Sequence, residues 1–147
     1  MPRLLWASLV LSLVFCSAPT RGAEQVVLVV GEDTQIEDIS SLELRKAFFG
    51  ITVRQNNRIL RPLRNSSDAQ LNEIFLQSVV AMSERSYERR LFSLALKYGR
   101  PRPEEFTDHD DLVRALHEQP NSISYMWRSD AERSARIRII KLLWQEN

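Results

Sequence analysis

Four segments of the chain carry the hydrophobic pattern of β-strands. Residues 26–30 (VVLVV) form a continuous aliphatic run, which is typical of a strand covered on both faces. Residues 122–127 (SISYMW) and 136–140 alternate with period two and predict two more strands. Residues 59–63 predict a short edge strand, because Pro62 lacks the N–H that a central strand donates.

Four further segments carry the three-to-four-residue spacing of amphipathic helices. The first begins at a capping box, Ser40 with Glu43, and ends before Gly50, where a left-handed residue is favoured. A second capping box, Ser67 with Gln70, begins the next helix. The predicted helices cover residues 40–49, 67–82, 83–98 and 107–117. The resulting order, β-α-β-α-α-α-β-β, predicts one α/β domain with a mixed sheet flanked by helices.

The helix predicted over residues 83–98 combines aromatic and cationic side chains. The simplest interpretation places the aromatic side chains in the core and leaves the arginines on a charged outer face. The aromatic residues are Tyr87, Phe92 and Tyr98, and the arginines are Arg89 and Arg90. The pattern therefore predicts packing at this helix rather than a binding surface.

The start of the chain has the composition of an export signal. An arginine supplies positive charge, and residues 4–16 are apolar apart from two serines. These thirteen residues would rise about 20 Å as a helix, too short for a bilayer core of about 30 Å. Thr20 and Gly22 are the small residues before the best cleavage site, so we predict a signal peptide over residues 1–22 and a periplasmic domain over residues 23–147. An uncleaved N-terminal anchor is the alternative.

Removing the predicted signal changes the charge and the cysteine count. Residues 23–147 contain no cysteine and carry a formal net charge of −1, because Arg3 and Arg21 precede them and the whole chain has +1. Such a chain can enter an oxidising compartment without disulfide chemistry. A charge this close to zero also lacks the basic footprint of a nucleic-acid binder, so no nucleic-acid partner is predicted.

The sequence lacks the common motifs of catalysis and cofactor binding. Gly31, Gly50 and Gly99 each follow a predicted strand or helix, which leaves no glycine-rich phosphate loop. His109 and His117 lie eight residues apart, too far along a helix to share one metal ion. No cysteine, serine or histidine stands in a known nucleophile or metalloprotease motif. We therefore predict no enzyme activity, no cofactor and no metal site.

Arginines gather around one turn just before a pair of serines. Residues 23–147 hold fifteen arginines against three lysines. Ser66 and Ser67 stand at a predicted helix start, where hydroxyls and free backbone N–H groups suit a phosphate, sulfate or carboxylate. An ordinary helix cap beside a solvated edge strand is the alternative interpretation. The arginines before the serines are Arg54, Arg58, Arg61 and Arg64.

Five short motifs occur in an order that resembles one protein family. They are LELRKAFFG (42–50), ILRPL (59–63), NSSD leading to NEIF (65–75), LKYGRPRP (96–103) and ALHEQPNSISY (115–125). The family is that of the periplasmic phosphate receptors of ABC transporters. The chain resembles its short, single-lobe form over about residues 26–140.

This resemblance implies a fold and a binding site. The fold is a single lobe of a type II periplasmic-binding-protein-like domain. The residues that match the family's anion-binding loop are Ser66, Ser67 and Asp68, with Arg64 nearby, although the Gly-Thr pair of that loop is absent. Full receptors clamp phosphate between two lobes. A single lobe would therefore hold its ligand in an open site, or share it with a second copy in a homodimer or with a membrane partner.

Two hypotheses for the function follow from the resemblance. The first is an exported solute-binding-like protein that binds phosphate or another small oxyanion for an ABC-type uptake system. The alternative is a ligand-free interaction or sensory module that docks on a membrane sensor or transporter. In the alternative, the arginine-rich edge and Trp127 or Trp144 would contact the partner, because Arg and Trp are common at interfaces.

Overall fold

The computed structural model describes residues 23–147, so the predicted signal peptide lies outside the described residues. The strands are β1 (Gln25–Gly31), β2 (Arg54–Gln55), β3 (Arg58–Ile59), β4 (Arg61–Asn65), β5 (Glu104–Phe106), β6 (Ser122–Trp127) and β7 (Ile137–Gln145). The helices are α1 (Ser41–Phe48), α2 (Ala69–Phe75), α3 (Glu84–Tyr98), α4 (His109–Glu118) and α5 (Arg128–Arg133), with a π-helical turn over Leu76–Val80. Across residues 23–147, every helix is too short or too polar to cross a membrane.

Five of the strands form one mixed sheet with the order β5-β4-β6-β1-β7. Strand β1 is antiparallel to both β6 and β7, whereas β4 is parallel to both β5 and β6. The sheet is flanked by helices on both faces, which confirms the predicted α/β architecture.

The central strand β1 contributes to a hydrophobic core on each face of the sheet. Val26, Leu28 and Val30 pack with apolar residues of α1, α2 and α3, whereas Val27 and Val29 pack with α4 and α5. All five side chains are at most 1% exposed. The aliphatic run of residues 26–30 is therefore a strand covered on both faces, as its sequence predicts.

Strand β4 is central rather than at the edge, and the prediction from Pro62 was wrong. The strand lies between β5 and β6, but β5 pairs with it only from Leu63 onward. Pro62 pairs in register with Ile123 of β6 and has no β5 residue beside it. A proline without an N–H is tolerated there because one side of the strand is open at that residue.

Several short elements differ from the sequence-based prediction. The turn at residues 55–58 is present as a β-hairpin, with Asn56 and Asn57 in left-handed conformations (φ 48° and 66°). Strand β5 and helix α5 were not predicted. Helix α5 has no side-chain cap and buries only Ala131, so it leaves little hydrophobic pattern in the sequence.

The helix predicted over residues 67–82 is interrupted. Helix α2 ends at Phe75, a π-helical turn follows, and Ala81 ends it in the left-handed region (φ 55°). The predicted inner face of the next helix is also partly wrong. Tyr87 is fully buried, whereas Phe92 is 58% and Tyr98 67% exposed, because Tyr87, Leu91 and Leu94 alone face the core.

We expect Ser40→Ala to lower the free energy of unfolding by about 1 kcal/mol, the usual effect of losing an N-cap. Ser40 Oγ accepts the Glu43 N–H at 3.2 Å, and the Glu43 carboxylate accepts the Ser40 hydroxyl at 2.6 Å and its N–H at 3.0 Å. Urea unfolding at neutral pH measures the loss. Ser41→Ala, an exposed change at the next residue, is the matched control.

The same capping box makes the free energy of unfolding depend on pH, and the direction of that dependence can be derived. The Ser40 side chain and then its backbone N–H lower the pKa of Glu43 from its ordinary value. A carboxyl group with a lowered folded-state pKa stabilises the fold above its ordinary pKa, and that contribution disappears as the pH falls through the lowered pKa. The stability difference between the wild type and Glu43→Gln should therefore vanish in acid. A difference that persists there would contradict this account.

Candidate functional site

The loop Ser66–Asp68 lies at the carboxyl ends of two parallel strands. It follows β4, and Ser66 donates its N–H (2.9 Å) and its hydroxyl (3.3 Å) to the carbonyl of Phe106 at the end of β5. After β4 the chain enters α2 on one face of the sheet, and after β5 it enters α4 on the other. Ligands of α/β proteins usually bind where neighbouring connections diverge in this way.

Asn65 holds the loop in place, and sequence reasoning missed it. This residue is 1% exposed, and its N–H and Nδ2 donate to Tyr125 Oη (3.1 Å) and the Tyr125 carbonyl (2.9 Å). Its Oδ1 accepts the hydroxyl (2.7 Å) and the N–H (3.1 Å) of Ser67. An Asn whose side chain accepts the N–H two residues on is a recognised turn signal, so the sequence contained a usable clue.

Asp68, not Ser67, caps helix α2. Asp68 Oδ1 accepts the Leu71 N–H at 2.9 Å, and the helix begins at Ala69. The predicted capping box at Ser67 and Gln70 was therefore wrong by one residue. The hydroxyl and the N–H of Ser67 are both directed to Asn65 Oδ1, whereas the carboxylate of Asp68 is directed to the first turn of α2.

The side chain of Arg64 faces the interior beside helix α3. It is 3% exposed, although it lies next to the surface loop in sequence. Its guanidinium donates to Glu88 at 2.7 Å, to Glu84 at 3.1 Å and to Asn72 Oδ1 at 3.1 Å. Glu105 lies 3.9 Å from Nη1. Carboxylates of the same chain thus pair with the guanidinium that we expected to bind an anion.

Aromatic rings complete the surroundings of Arg64. The guanidinium carbon lies 5.2 Å from the centroid of the Tyr87 ring and 6.0 Å from that of Phe75. Nε is buried and has no hydrogen-bond partner among the residues that the structure describes. Burial by itself lowers the pKa of Arg64, but Glu105 and its other neighbours outweigh this effect and raise it. Burial raises the pKa of Tyr87 and of Tyr125, so both rings stay neutral.

The four arginines of the predicted cluster do not share one surface. Arg54 and Arg58 belong to the β2–β3 hairpin. Arg61 is the first residue of β4, and the serines follow the last. The length of that strand, about 13 Å at 3.3 Å per residue, therefore lies between Arg61 and the start of the loop. Only Arg64 lies near the loop, and its side chain points inward. The expected convergence of several guanidinium groups on the serines was therefore wrong.

Sequence reasoning also missed the carboxylates around Arg64. Glu84 and Glu88 follow it by 20 and 24 residues, and no local pattern links them to β4.

Over the described range 23–147, no group of three or more His, Cys, Asp or Glu side chains is placed to hold a metal ion.

The overall fold is similar to part of two proteins of known structure. PstS from Borrelia burgdorferi is 12% identical with a TM-score of 0.58, and the alignment covers 81% of this chain and 47% of PstS. A possible phosphate binding protein from Planctomyces limnophilus is 13% identical with a TM-score of 0.53, covering 80% and 41%. The sequence matches no protein-family model and no curated protein. The chain thus shares its mixed α/β fold with part of each of these two proteins and spans less than half of their length.

Proposed function

We propose that this chain is an exported solute-binding-like domain whose loop Ser66–Asp68 binds a small oxyanion, phosphate above all. The observation that carries the proposal is the position of the loop, at the carboxyl ends of parallel β4 and β5 where their connections diverge. The likeness in fold to PstS and to a protein described as a possible phosphate binding protein supports the same choice of ligand. Uptake through an ABC-type membrane partner is part of this proposal.

The loop offers a small set of donors and one acceptor. Ser66 and Ser67 contribute hydroxyl groups, each of which has to rotate away from its present acceptor, the Phe106 carbonyl or Asn65 Oδ1, to donate to the anion. Ala69 and Gln70 contribute first-turn N–H groups, which have no partner within a helix. Asp68 uses one carboxylate oxygen as the cap, and the other can accept a hydrogen bond. A monoprotonated phosphate can donate that bond, whereas sulfate carries no proton at neutral pH. We therefore expect selectivity for phosphate.

Arg64 has a positioning role in this proposal. Its guanidinium ties the end of β4 to α3 through Glu84 and Glu88, directly before the loop begins. Contact between the guanidinium and a bound anion would require these ion pairs to open. The bound anion is accordingly held by hydroxyl and backbone groups.

We expect calorimetric titration to give sub-millimolar binding of phosphate and weaker binding of sulfate. Ser67→Ala should weaken phosphate binding about tenfold, as loss of one hydrogen bond to a charged group does. Asp68→Asn should reduce the preference for phosphate over sulfate, because an amide also donates to an unprotonated ion. The protein is purified from a host that exports it. Ser41→Ala, a change on α1 away from the loop, is the control variant. Absence of heat at millimolar phosphate from folded protein would contradict the proposal.

A second candidate function is a module that docks on a membrane sensor or transporter without a solute. The favouring observation is that Glu84, Glu88 and Glu105 already surround the guanidinium of Arg64, so this cation is not free to bind an anion at the loop. A neighbouring gene for an ABC permease would support uptake. A neighbouring sensor kinase or cyclase gene, together with failure of the titration, would support docking.

A further inference from the structure

Helix α3 presents a line of cationic and apolar side chains to solvent, here called the α3 stripe. It consists of Arg85, Arg89, Phe92 and Leu96, whose spacing of four, three and four residues places them along one face of the helix. Phe92 is 58% and Leu96 71% exposed. The buried residues of the helix, Tyr87, Leu91 and Leu94, lie on the opposite face. Two large apolar side chains thus project from the face of the helix opposite to the one that packs into the core.

The α3 stripe is positively charged. Arg90 and Lys97 are exposed on its flank, and none of its cations forms an ion pair with another residue in the part of the chain that the structure describes. The helix has two acidic residues, and both are engaged elsewhere: Glu84 with Arg64, and Glu88 with Arg64 and Arg102. This cationic face belongs to a domain with a net charge of only −1, so the charge is local.

Charge and shape together point to one class of partner. Guanidinium groups bind phosphate oxygens in pairs, and their apolar stems can lie along hydrocarbon while the charge stays at the headgroups. A helix with apolar residues bordered by arginine and lysine is typical of segments that lie in a membrane interface. The α3 stripe is a convex ridge, which a fluid headgroup layer can enclose without a preformed groove. We propose that the α3 stripe binds the anionic headgroup surface of a phospholipid membrane.

This inference is independent of the oxyanion site. The loop Ser66–Asp68 lies at the carboxyl ends of β4 and β5, whereas the stripe lies on the solvent face of α3. Ser67→Ala should therefore leave vesicle binding unchanged, and a stripe variant should leave the phosphate titration unchanged. Failure of one proposal does not imply failure of the other.

The test is sedimentation of the exported protein with two kinds of vesicle. One is phosphatidylcholine alone, and the other contains phosphatidylcholine and phosphatidylglycerol in equal parts. We expect binding to the anionic vesicles only. Arg85→Gln with Arg89→Gln should weaken it about 25-fold, since each cation near an anionic surface contributes about fivefold. Phe92→Ser with Leu96→Ser should weaken it about tenfold through lost apolar insertion.

Matched controls separate the stripe from general charge and hydrophobicity. Arg58→Gln with Arg61→Gln removes the same charge from an exposed site elsewhere, and Leu42→Ser removes a side chain that is 63% exposed on α1. Both should bind anionic vesicles within about twofold of the wild type, the change expected for residues outside the interface. Inorganic phosphate at the lipid concentration should not compete.

Three outcomes would overturn the proposal. Equal binding to both kinds of vesicle would remove the anionic specificity. Equal losses in the control and stripe variants would show a general charge effect. Absence of binding to anionic vesicles at low salt would exclude lipid and turn attention to an acidic protein as the occupant of the stripe. Circular dichroism verifies the fold of each variant, which is expected to hold because every substituted side chain is exposed.

Discussion

Arg64→Ala should lower the free energy of unfolding by about 3 kcal/mol, at the lower end of the range for breaking a buried ion pair. The side chain is 3% exposed and is shared by Glu84, Glu88 and Asn72. Its removal leaves Glu84 without its cation, leaves Glu88 with Arg102 alone, and opens a gap beside the ring of Tyr87. The loss stays near the lower end because Glu84 and Glu88 are 59% and 35% exposed and can be rehydrated.

Urea unfolding followed by tryptophan fluorescence measures this effect. Trp127 and Trp144 report on unfolding because their rings are in contact only in the folded protein, where the centroids lie 6.4 Å apart at the end of the sheet. Arg102→Ala is the matched control, since Arg102 also pairs with Glu88 but is 49% exposed. We expect that control to change stability by less than about 1 kcal/mol, as surface pairs do. Equal losses in the two variants would refute the structural role assigned to Arg64.

Arg64→Lys separates this structural role from anion binding. An ammonium group keeps the charge but cannot reproduce the fork of donors that joins Glu84, Glu88 and Asn72. The variant should therefore lose part of the stability and retain phosphate affinity. Full stability with lost phosphate affinity would instead make Arg64 a direct ligand.

Gly50→Ala should also destabilise the fold by about 3 kcal/mol, for two reasons that add. Gly50 has φ +73°, a conformation that disfavours any side chain. An added Cβ would also lie 2.3 Å from the carbonyl oxygen of Pro101, which belongs to the backbone and cannot turn aside. This contact joins the end of α1 to the segment that follows α3.

Gly99→Ala is the matched control for Gly50→Ala. Gly99 has φ +61° and ends α3, but an added Cβ there would meet no atom within 4 Å. It should therefore lose only the conformational part, about 1 kcal/mol. The difference between the two variants, read from urea midpoints at equal slope, isolates the contact with Pro101. Equal midpoints would show that Pro101 moves away at no cost.

The two glycines illustrate what could be predicted about the fold. Their place after a helical pattern predicts a left-handed conformation, and both have positive φ. The cap at Ser40 was predicted on the same local basis, and it is present. Whether a glycine is also crowded depends on a distant segment, and no feature near Gly50 indicates that Pro101 lies against it.

The candidate site divides in the same way. The serines and Asp68 could be placed in a loop after a strand because their order along the chain indicates it. The inward direction of Arg64 could not be predicted, because its acidic partners lie on α3 and at β5, between 20 and 41 residues away. The exposure of Phe92 could have been predicted from the sequence. Phe92 follows Leu91 by one residue, so its side chain turns away from the helix face that Leu91 shares with Tyr87.

Signals that act over a few residues were sufficient to predict the buried run of β1, the capping box of α1, the Asn turn and the left-handed glycines. Hydrogen bonds and side-chain periodicity within one element are sufficient for these. Two features could be seen only in the packed protein: the central position of β4 and the acidic residues that enclose Arg64. Each of these depends on contacts between distant parts of the chain, because a buried donor or charge pairs with the group that the packed chain places beside it.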